Sequence, residues 1–349
     1  MVKDLCFEII ERCPNNCKFC SSNSNIHKQR IISYEDFKRV IDYFIKEGGI
    51  EELSLSGGEP FLHPNIKEMI CYAKSLGIRT VVFTSGIKRG NGLSKEQIEQ
   101  LQQEQEQKLK EVEENEPWNN RLKENIKKYY TQLISPSDFA PITKQELAYL
   151  KKLGLDKIVF DFQAYEHETD EYLMGRDRKK HCCLLDSMLN ASSIGITTDV
   201  HFIPMKPNYK EFPDILELLA IAGINNISIL RFVPQGRGNI NKENLVLSTE
   251  ELKEFLEIIE KNKDKYNINI RIGIPLLGEN NHKCNAGLEK LDIKFDGTIL
   301  PCPAFKELSS EVMKKYGIKH YSIYENLEEV KTPGGKRVEP LCQKIYKYH

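Results

Sequence analysis

Apolar and polar positions alternate along this chain in two rhythms that trade places. Leu5 to Ile10 is an apolar run that reads as a strand. Tyr34 to Lys46 then carries Phe37, Val40, Ile41, Phe44 and Ile45 at helical spacing, ended by Gly48-Gly49. A short strand at Glu51 to Leu55, a helix at about Asn65 to Leu76 and a β-branched strand at Arg79 to Thr84 follow. The order β-α-β-α-β implies a parallel sheet. Further on the same alternation predicts helices at Thr143 to Lys152, near Lys179 to Ser193 and at Glu211 to Ala222. They separate strands at Lys157 to Phe162, Thr197 to Ile203 and Asn226 to Phe232. Six βα-type units suit an α/β fold built as an open, partial (β/α)6 TIM-like barrel. Sites in such folds lie at the carboxyl ends of strands, where Cys13 to Cys20, Gly57 to Pro60, Ser85, Gln163 and Gln235 all fall.

The rhythm breaks between about residues 88 and 141. Gln97 to Glu116 is almost all Gln, Glu and Lys, followed by Trp118 and a basic stretch from Arg121 to Lys128. Such composition favours a solvated helix or helical hairpin inserted on the catalytic face, with too few apolar positions for its own core. Trp118, the single tryptophan, is expected to anchor that hairpin to the body. Beyond the barrel (1–240), residues 241–283 bridge with a helix at Thr249 to Lys261 and a strand near Ile268 to Ile272. Residues 284–349 then form a small α+β unit, with a hairpin of Leu291 to Phe295 and Thr298 to Leu300 turning at Asp296-Gly297.

Composition narrows the partners. A net charge of −1 over 349 residues gives no global field to recruit nucleic acid or an anionic membrane. No stretch approaches the ~20 apolar residues of a membrane span. The opening Met-Val-Lys-Asp runs straight into a strand, so no signal peptide is expected. Ten cysteines without an export signal point to the reducing cytoplasm, where clustered cysteines bind metal more often than they form disulfides.

The cysteine pattern carries the chemistry. Cys13, Cys17 and Cys20 are spaced C-x3-C-x2-C in one loop, close enough to wrap three thiolates around a single inorganic centre. A [4Fe–4S] cluster has four irons, so three thiolates leave one iron open to a cofactor or substrate. The alternative is a structural zinc loop, which normally wants four ligands in two C-x2-4-C pairs, and no second pair lies nearby. About forty residues on, Gly57-Gly58-Glu59-Pro60 follows a strand end, where two glycines let the backbone approach a ligand. Alone it would be an ordinary turn. Together with Phe19 beside the last cysteine, these residues resemble the cluster loop and GGEP motif of the radical S-adenosylmethionine (radical SAM) superfamily.

The resemblance implies a SAM-binding [4Fe–4S] cluster on Cys13, Cys17 and Cys20, with the methionine amino group of SAM held at Gly57, Gly58, Glu59 and Pro60. It implies further SAM contacts at Ser85, in a Thr84-Ser85-Gly86 loop, and at Asp161 and Gln163, which end the fourth strand. Arg231 to Gly238 resembles a loop that lies along the adenine in relatives bearing a SPASM domain. Cys284, Gly297 and Cys302 read as C-x12-G-x4-C, the opening half of the SPASM motif, after which this chain offers only Cys342. That resembles a shortened, twitch-like domain with one auxiliary iron–sulfur cluster on Cys284, Cys302 and Cys342. His282, His349 or substrate could supply a fourth ligand. Three unrelated buried thiols are the alternative.

The implied activity is reductive cleavage of SAM to a 5′-deoxyadenosyl radical that abstracts a hydrogen atom from a peptide or protein. Dehydrogenation or rearrangement of a small molecule or nucleotide is the second reading, and a non-enzymatic iron–sulfur or zinc module the third. A reductant such as flavodoxin or ferredoxin is implied as partner. No N-terminal extension that could form a leader-peptide-binding domain is expected, which weakens the ribosomal-peptide reading without excluding it. Cys6, Cys71, Cys182 and Cys183 have apolar neighbours and read as packing. Glu166, His167, Glu168 and Asp170 after the fourth strand are expected to face the mouth as acid, base or SAM support, and a solvated loop explains them as well.

Overall fold

A computed structural model describes residues 2–89, 95–134, 139–277 and 283–336, together with 338, 340, 342 and 345. Its first half runs β1 (Asp4–Ile10), α1 (Tyr34–Lys46), β2 (Glu52–Gly57), α2 (Ile66–Ser75), β3 (Arg79–Thr84) and β4 (Ile87–Arg89). The inserted helices α3 (Lys95–Asn115) and α4 (Asn120–Ile134) come next, then β5 (Phe139–Pro141), α5 (Lys144–Leu153) and β6 (Leu155–Asp161). The second half adds α6 (His167–Met174), α7 (Arg178–Ser193), β7 (Thr197–Phe202), α8 (Phe212–Ile221), β8 (Asn226–Ile229), α9 (Arg237–Ile240) and α10 (Lys242–Leu245). It closes with α11 (Thr249–Asn262), β9 (Asn269–Ile272), β10 (Lys290–Ile293), β11 (Thr298–Leu300), α12 (Ser310–Lys315) and β12 (Tyr321–Ser322).

Local chemistry sets the helix ends. The Ser33 side chain accepts from the Asp36 amide at the start of α1, and α5 and α11 begin with reciprocal capping boxes, Thr143/Glu146 and Ser248/Glu251. The helices pack against one face of the sheet. Phe7 and Ile9 of β1, Phe160 of β6 and Phe202 of β7 meet Phe37, Met69, Leu184 and Phe212 there in one continuous core.

The opposite face of the sheet is polar. Lys157 reaches Asp199 at 2.7 Å, Ser228 donates to Asp199 at 3.1 Å, and Arg271 donates to Ser228 at 3.1 Å. Strands buried on both faces usually read as continuous apolar runs. These alternate because one face meets helices and the other lines a lumen.

The sheet has ten strands in the order β12-β11-β10-β1-β2-β3-β6-β7-β8-β9. The six central strands run parallel, as the alternation predicts. The sheet does not end with them. β9 joins parallel to β8, and β10 joins parallel to β1, with Cys6 opposite Asp292. The expected hairpin at Asp296-Gly297 is present as β10–β11, and it extends this same sheet.

Several expectations need correction. Residues 167–174 form a helix in which Asp170 is fully buried, so they are no solvated loop. Their helical signal is short, and only the left-handed Gly175 marks the end. Trp118 is 75% exposed at the turn between α3 and α4 and does not anchor the hairpin. Tyr130, only 3% exposed, takes that place, beside Tyr129, whose hydroxyl lies 4.0 Å from the Cys182 sulfur. Cys71 is exposed on the outer side of α2, so it is not packing; Cys6 and Cys183 are buried.

At the foot of the insertion β4 and β5 pair antiparallel, with Ile87 opposite Pro141 and Arg89 opposite Phe139. Replacing residues 90–138 with a two-residue Asn-Gly turn should therefore close a short hairpin and leave the barrel folded. The lost Tyr130 contact predicts a fall in Tm of no more than about 5 °C by circular dichroism. A collapse of the transition would show that the hairpin carries part of the core.

Candidate functional site

A cavity of about 350 Å³ opens at the carboxyl ends of the central strands. Cys13, Cys17 and Cys20 line it from the loop after β1, Gly57 and Gly58 from β2, Ser85 from β3, and Asp161 from β6. Backbone contacts bring these loops together. The Gly58 amide donates to the Ile10 carbonyl at 2.6 Å, and the Glu59 amide to the Arg12 carbonyl at 2.8 Å. A Cβ on Gly58 would sit 2.1 Å from the Arg12 carbonyl oxygen, and one on Gly57, where φ is +124°, 2.3 Å from the Ile10 oxygen. The glycines thus serve first to let the second loop lie against the base of the cysteine loop.

The cysteine loop is clamped from its other side as well. The Asn16 and Lys18 amides donate to the Met174 and Leu173 carbonyls at the end of α6. Arg237, opening α9, donates from its amide to the Cys20 carbonyl and from its guanidinium to the Cys17 and Ser24 carbonyls. Gly236 (φ +52°) fits there because a Cβ would meet the Cys20 carbonyl oxygen at 2.6 Å.

Three expected SAM contacts stand behind the cavity wall. Glu59 is fully buried, and both its oxygens are occupied: one accepts from the Thr84 hydroxyl and Phe61 amide, the other from the Ser85 amide and hydroxyl at 2.7 and 2.5 Å. It ties the β2 loop to the β3 loop, which leaves backbone groups and Ser85 to face a ligand. Burial raises its pKa, against the pull of those four donors. Pro60 is buried at the first position of a 3-10 turn. Gln163, also fully buried, donates to the Asp161 carboxylate at 2.5 Å and to the His201 carbonyl at 3.0 Å, so it orients Asp161. Burial raises the Asp161 pKa while Arg176 opposes the rise.

The sequence pattern missed three lining residues. His201 faces the cavity from β7 opposite the Phe83 ring, and burial lowers its pKa to about 4, so it is neutral at pH 7. Lys306, from the segment after Cys302, reaches Glu8 of β1 at 2.5 Å with both side chains buried. Burial disfavours the Lys306 charge, but the Glu8 and Asp292 carboxylates outweigh it and raise the pKa. None of the three belongs to a short motif: strand register exposes Glu8 and His201, and the docking of the segment after Cys302 exposes Lys306.

The other three cysteines gather elsewhere. Cys284, Cys302 and Cys342 join one small apolar cluster with Ala286, Leu300 and Phe305. The Gly287 amide donates to the Pro301 carbonyl at 3.1 Å, which holds the Cys284 and Cys302 segments side by side. Burial raises the Cys302 pKa, and the nearby Cys342 thiol adds to it. His282 and His349 lie outside the described residues.

The donor set fits an iron–sulfur cluster at the cavity. Cys13 and Cys17 are buried, and their pKa values rise through burial first and then through neighbouring acidic groups, the other cysteine thiols among them. An iron centre would offset that cost. Among the described residues no three His, Cys, Asp or Glu side chains converge as ligands of a single ion would.

Residues 7–113 match the sequence profile described as Radical SAM superfamily. That stretch belongs to the radical SAM superfamily. Solved structures agree on the fold. Streptococcus suis SuiB bound to S-adenosylmethionine aligns at 15% identity and TM-score 0.60, over 99% of this chain and 68% of that one. SuiB bound to its precursor peptide SuiA aligns at 16% identity and TM-score 0.62, over 95% and 65%. The protein anSMEcpe with bound AdoMet aligns at 11% identity and TM-score 0.55, over 87% and 72%. The radical SAM partial barrel is therefore the architecture of this α/β chain. Among its described residues no helix is long and apolar enough to cross a membrane.

Asp292 of β10 lies fully buried beside the Cys6 thiol, and burial raises its pKa from 3.8 to about 6. A folded-state pKa above the unfolded one means the folded protein binds more protons, so ionising this group costs stability as pH rises from about 4 to 6. Asp292→Asn should remove that fall. Its Tm should match the wild type near pH 4 and exceed it at pH 7, as read by thermal melts.

Proposed function

We propose that this enzyme binds SAM at a [4Fe–4S] cluster on Cys13, Cys17 and Cys20 and uses it to abstract hydrogen from a peptide or protein substrate. The supporting observation is the single cavity onto which those cysteines, Gly57, Gly58, Ser85 and Asp161 all open. A cluster held there by Cys13, Cys17 and Cys20 would supply the electron, received from a reductant, for reductive cleavage of SAM to methionine and a 5′-deoxyadenosyl radical.

The chain's residues supply the setting. Backbone groups at Gly57 and Gly58 that line the cavity and the Ser85 hydroxyl receive the polar end of SAM. Asp161, held by Gln163, accepts from its ribose or amino group. Phe83 and Val159, which also line the cavity, keep the radical's surroundings dry. Gln235 ties this wall to the C-terminal segment, donating to the Ala304 carbonyl at 2.6 Å and accepting from the Glu307 amide at 2.9 Å. An auxiliary iron–sulfur cluster on Cys284, Cys302 and Cys342 would sit beyond that wall, with Pro303, Ala304 and Lys306 of the same segment lining the cavity.

A peptide substrate is favoured over a small molecule because SuiB, over 95% of this chain, shares its fold and was solved with a precursor peptide. A reductant such as flavodoxin or ferredoxin completes the reaction.

With SAM and dithionite the reconstituted protein should release 5′-deoxyadenosine, followed by chromatography. Replacing Cys13, Cys17 and Cys20 with Ala should abolish release and remove about four irons per chain. Continued release would refute the assignment. That triple variant should keep one cluster of about four irons by iron counting and electron paramagnetic resonance, and lose it when Cys302→Ala is added. A folded triple variant without iron would show that no auxiliary cluster exists.

A further inference from the structure

A buried cation sits where three of the loops that frame the cavity meet. Arg176 follows α6 and is 0% exposed. Its guanidinium donates to the Asp161 carbonyl at 3.0 Å, reaches the Ser85 carbonyl at 3.5 Å, and meets the Asp170 carboxylate at 3.2 Å. With the Asn15 amide turned so that its oxygen faces the guanidinium, the assignment that satisfies both groups, Asn15 accepts from Nε at 3.1 Å and Nη2 at 3.2 Å. Asn15 lies between Cys13 and Cys17, and its own backbone N–H donates to the Cys13 sulfur.

A buried arginine is costly unless its charge is matched, and carboxylate compensation here is shared. Asp170 also accepts from His181 Nδ1 at 2.9 Å, while Asp161 offers Arg176 only its backbone oxygen. The pair is oriented. Asp170 points back toward α7, while the guanidinium points through Asn15 at the cysteine loop. Fork geometry explains why arginine is used: three loops need planar donors at fixed angles.

We propose that Arg176 is a positioning residue that fixes the cysteine loop against the Ser85 and Asp161 loops, and that its charge raises the reduction potential of the cluster held by Cys13, Cys17 and Cys20. Reduction adds one negative charge to the cluster, and a fixed cation in a dry wall stabilises it. This inference rests on the cluster assignment above. A wild-type protein without a reducible cluster would refute that assignment, whereas the comparisons below concern Arg176 alone.

Redox titrations of the reconstituted holoenzyme, followed by electron paramagnetic resonance with and without SAM, supply the test. They use the Cys302→Ala background so that one cluster is read. Arg176→Met should lower the reduced-to-oxidised ratio at a fixed potential about tenfold, a shift of ~59 mV to more negative values for a one-electron couple. Arg176→Lys keeps the charge and should stay within threefold of the parent while its signal broadens from loosened loop geometry. Asp170→Asn keeps the arginine but removes its compensation, and should shift the potential the other way. It also covers the case in which Arg176→Met fails to fold. An Arg176→Met protein with full iron content and unchanged potential would overturn the proposal. So would an Asp170→Asn protein whose potential is unchanged or moves negative.

Discussion

The site depends on backbone lying against backbone at distances that exclude a side chain. Gly57 and Gly58 rest on the Ile10 and Arg12 carbonyls, and Gly236 rests on the Cys20 carbonyl. A loop of three cysteines has no regular structure of its own to hold its shape. Hydrogen bonds from the β2 loop, the end of α6 and the start of α9 give it one. These contacts also fix how far the cavity can open, because each neighbour approaches through main-chain atoms that cannot change rotamer. Glu59 then locks a third loop to the second through three hydrogen bonds, one from Thr84 and two from Ser85, in a dry interior, where each is costly to break.

This arrangement separates residues that face the cavity from those that shape it. Cys13, Cys17, Cys20, Gly57, Gly58, Ser85 and Asp161 face it. Glu59, Gln163 and Arg176 stand one shell back and set the angles of the first group. The C-terminal segment belongs to the same wall. Lys306 and Glu8 form a buried ion pair across it, and breaking such a pair by removing one partner typically costs 3–5 kcal/mol.

Much of this was legible in the sequence because it rests on local signals. Strand and helix rhythm exposed the six central strands, and short spacing exposed the cysteine loop and the Gly-Gly turn. What failed to show was set by distance along the chain. β10 pairs with β1 across nearly the whole sequence, and four residues with mixed burial give no periodicity that says where they dock. Arg176 looks like any charged loop residue until Asn15, Ser85 and Asp161 surround it. Trp118 misled for the opposite reason: a large apolar residue in a polar stretch suggests an anchor, yet two tyrosines on α4 do that work. The polar lumen was hidden too, since Glu8, Asp199 and His201 interrupt runs whose neighbours are strongly apolar.

The pairing of β10 with β1 also governs the order in which the molecule can be made. Asp4 to Phe7 find one strand partner at Glu52 to Leu55 and the other at Lys290 to Ile293. At about 5–20 residues per second, synthesis delivers the second partner many seconds after the first. Until then β1 presents a bare edge of main-chain donors and acceptors, flanked by unclosed cysteines. The closing contact carries a large loop-closure cost and should be among the last to form. Nascent chains would therefore pass through a barrel that is nearly complete but open on the side where the cysteine loop begins. Through that interval Cys13, Cys17 and Cys20 stay more accessible than they are in the finished fold, where Cys13 and Cys17 are buried.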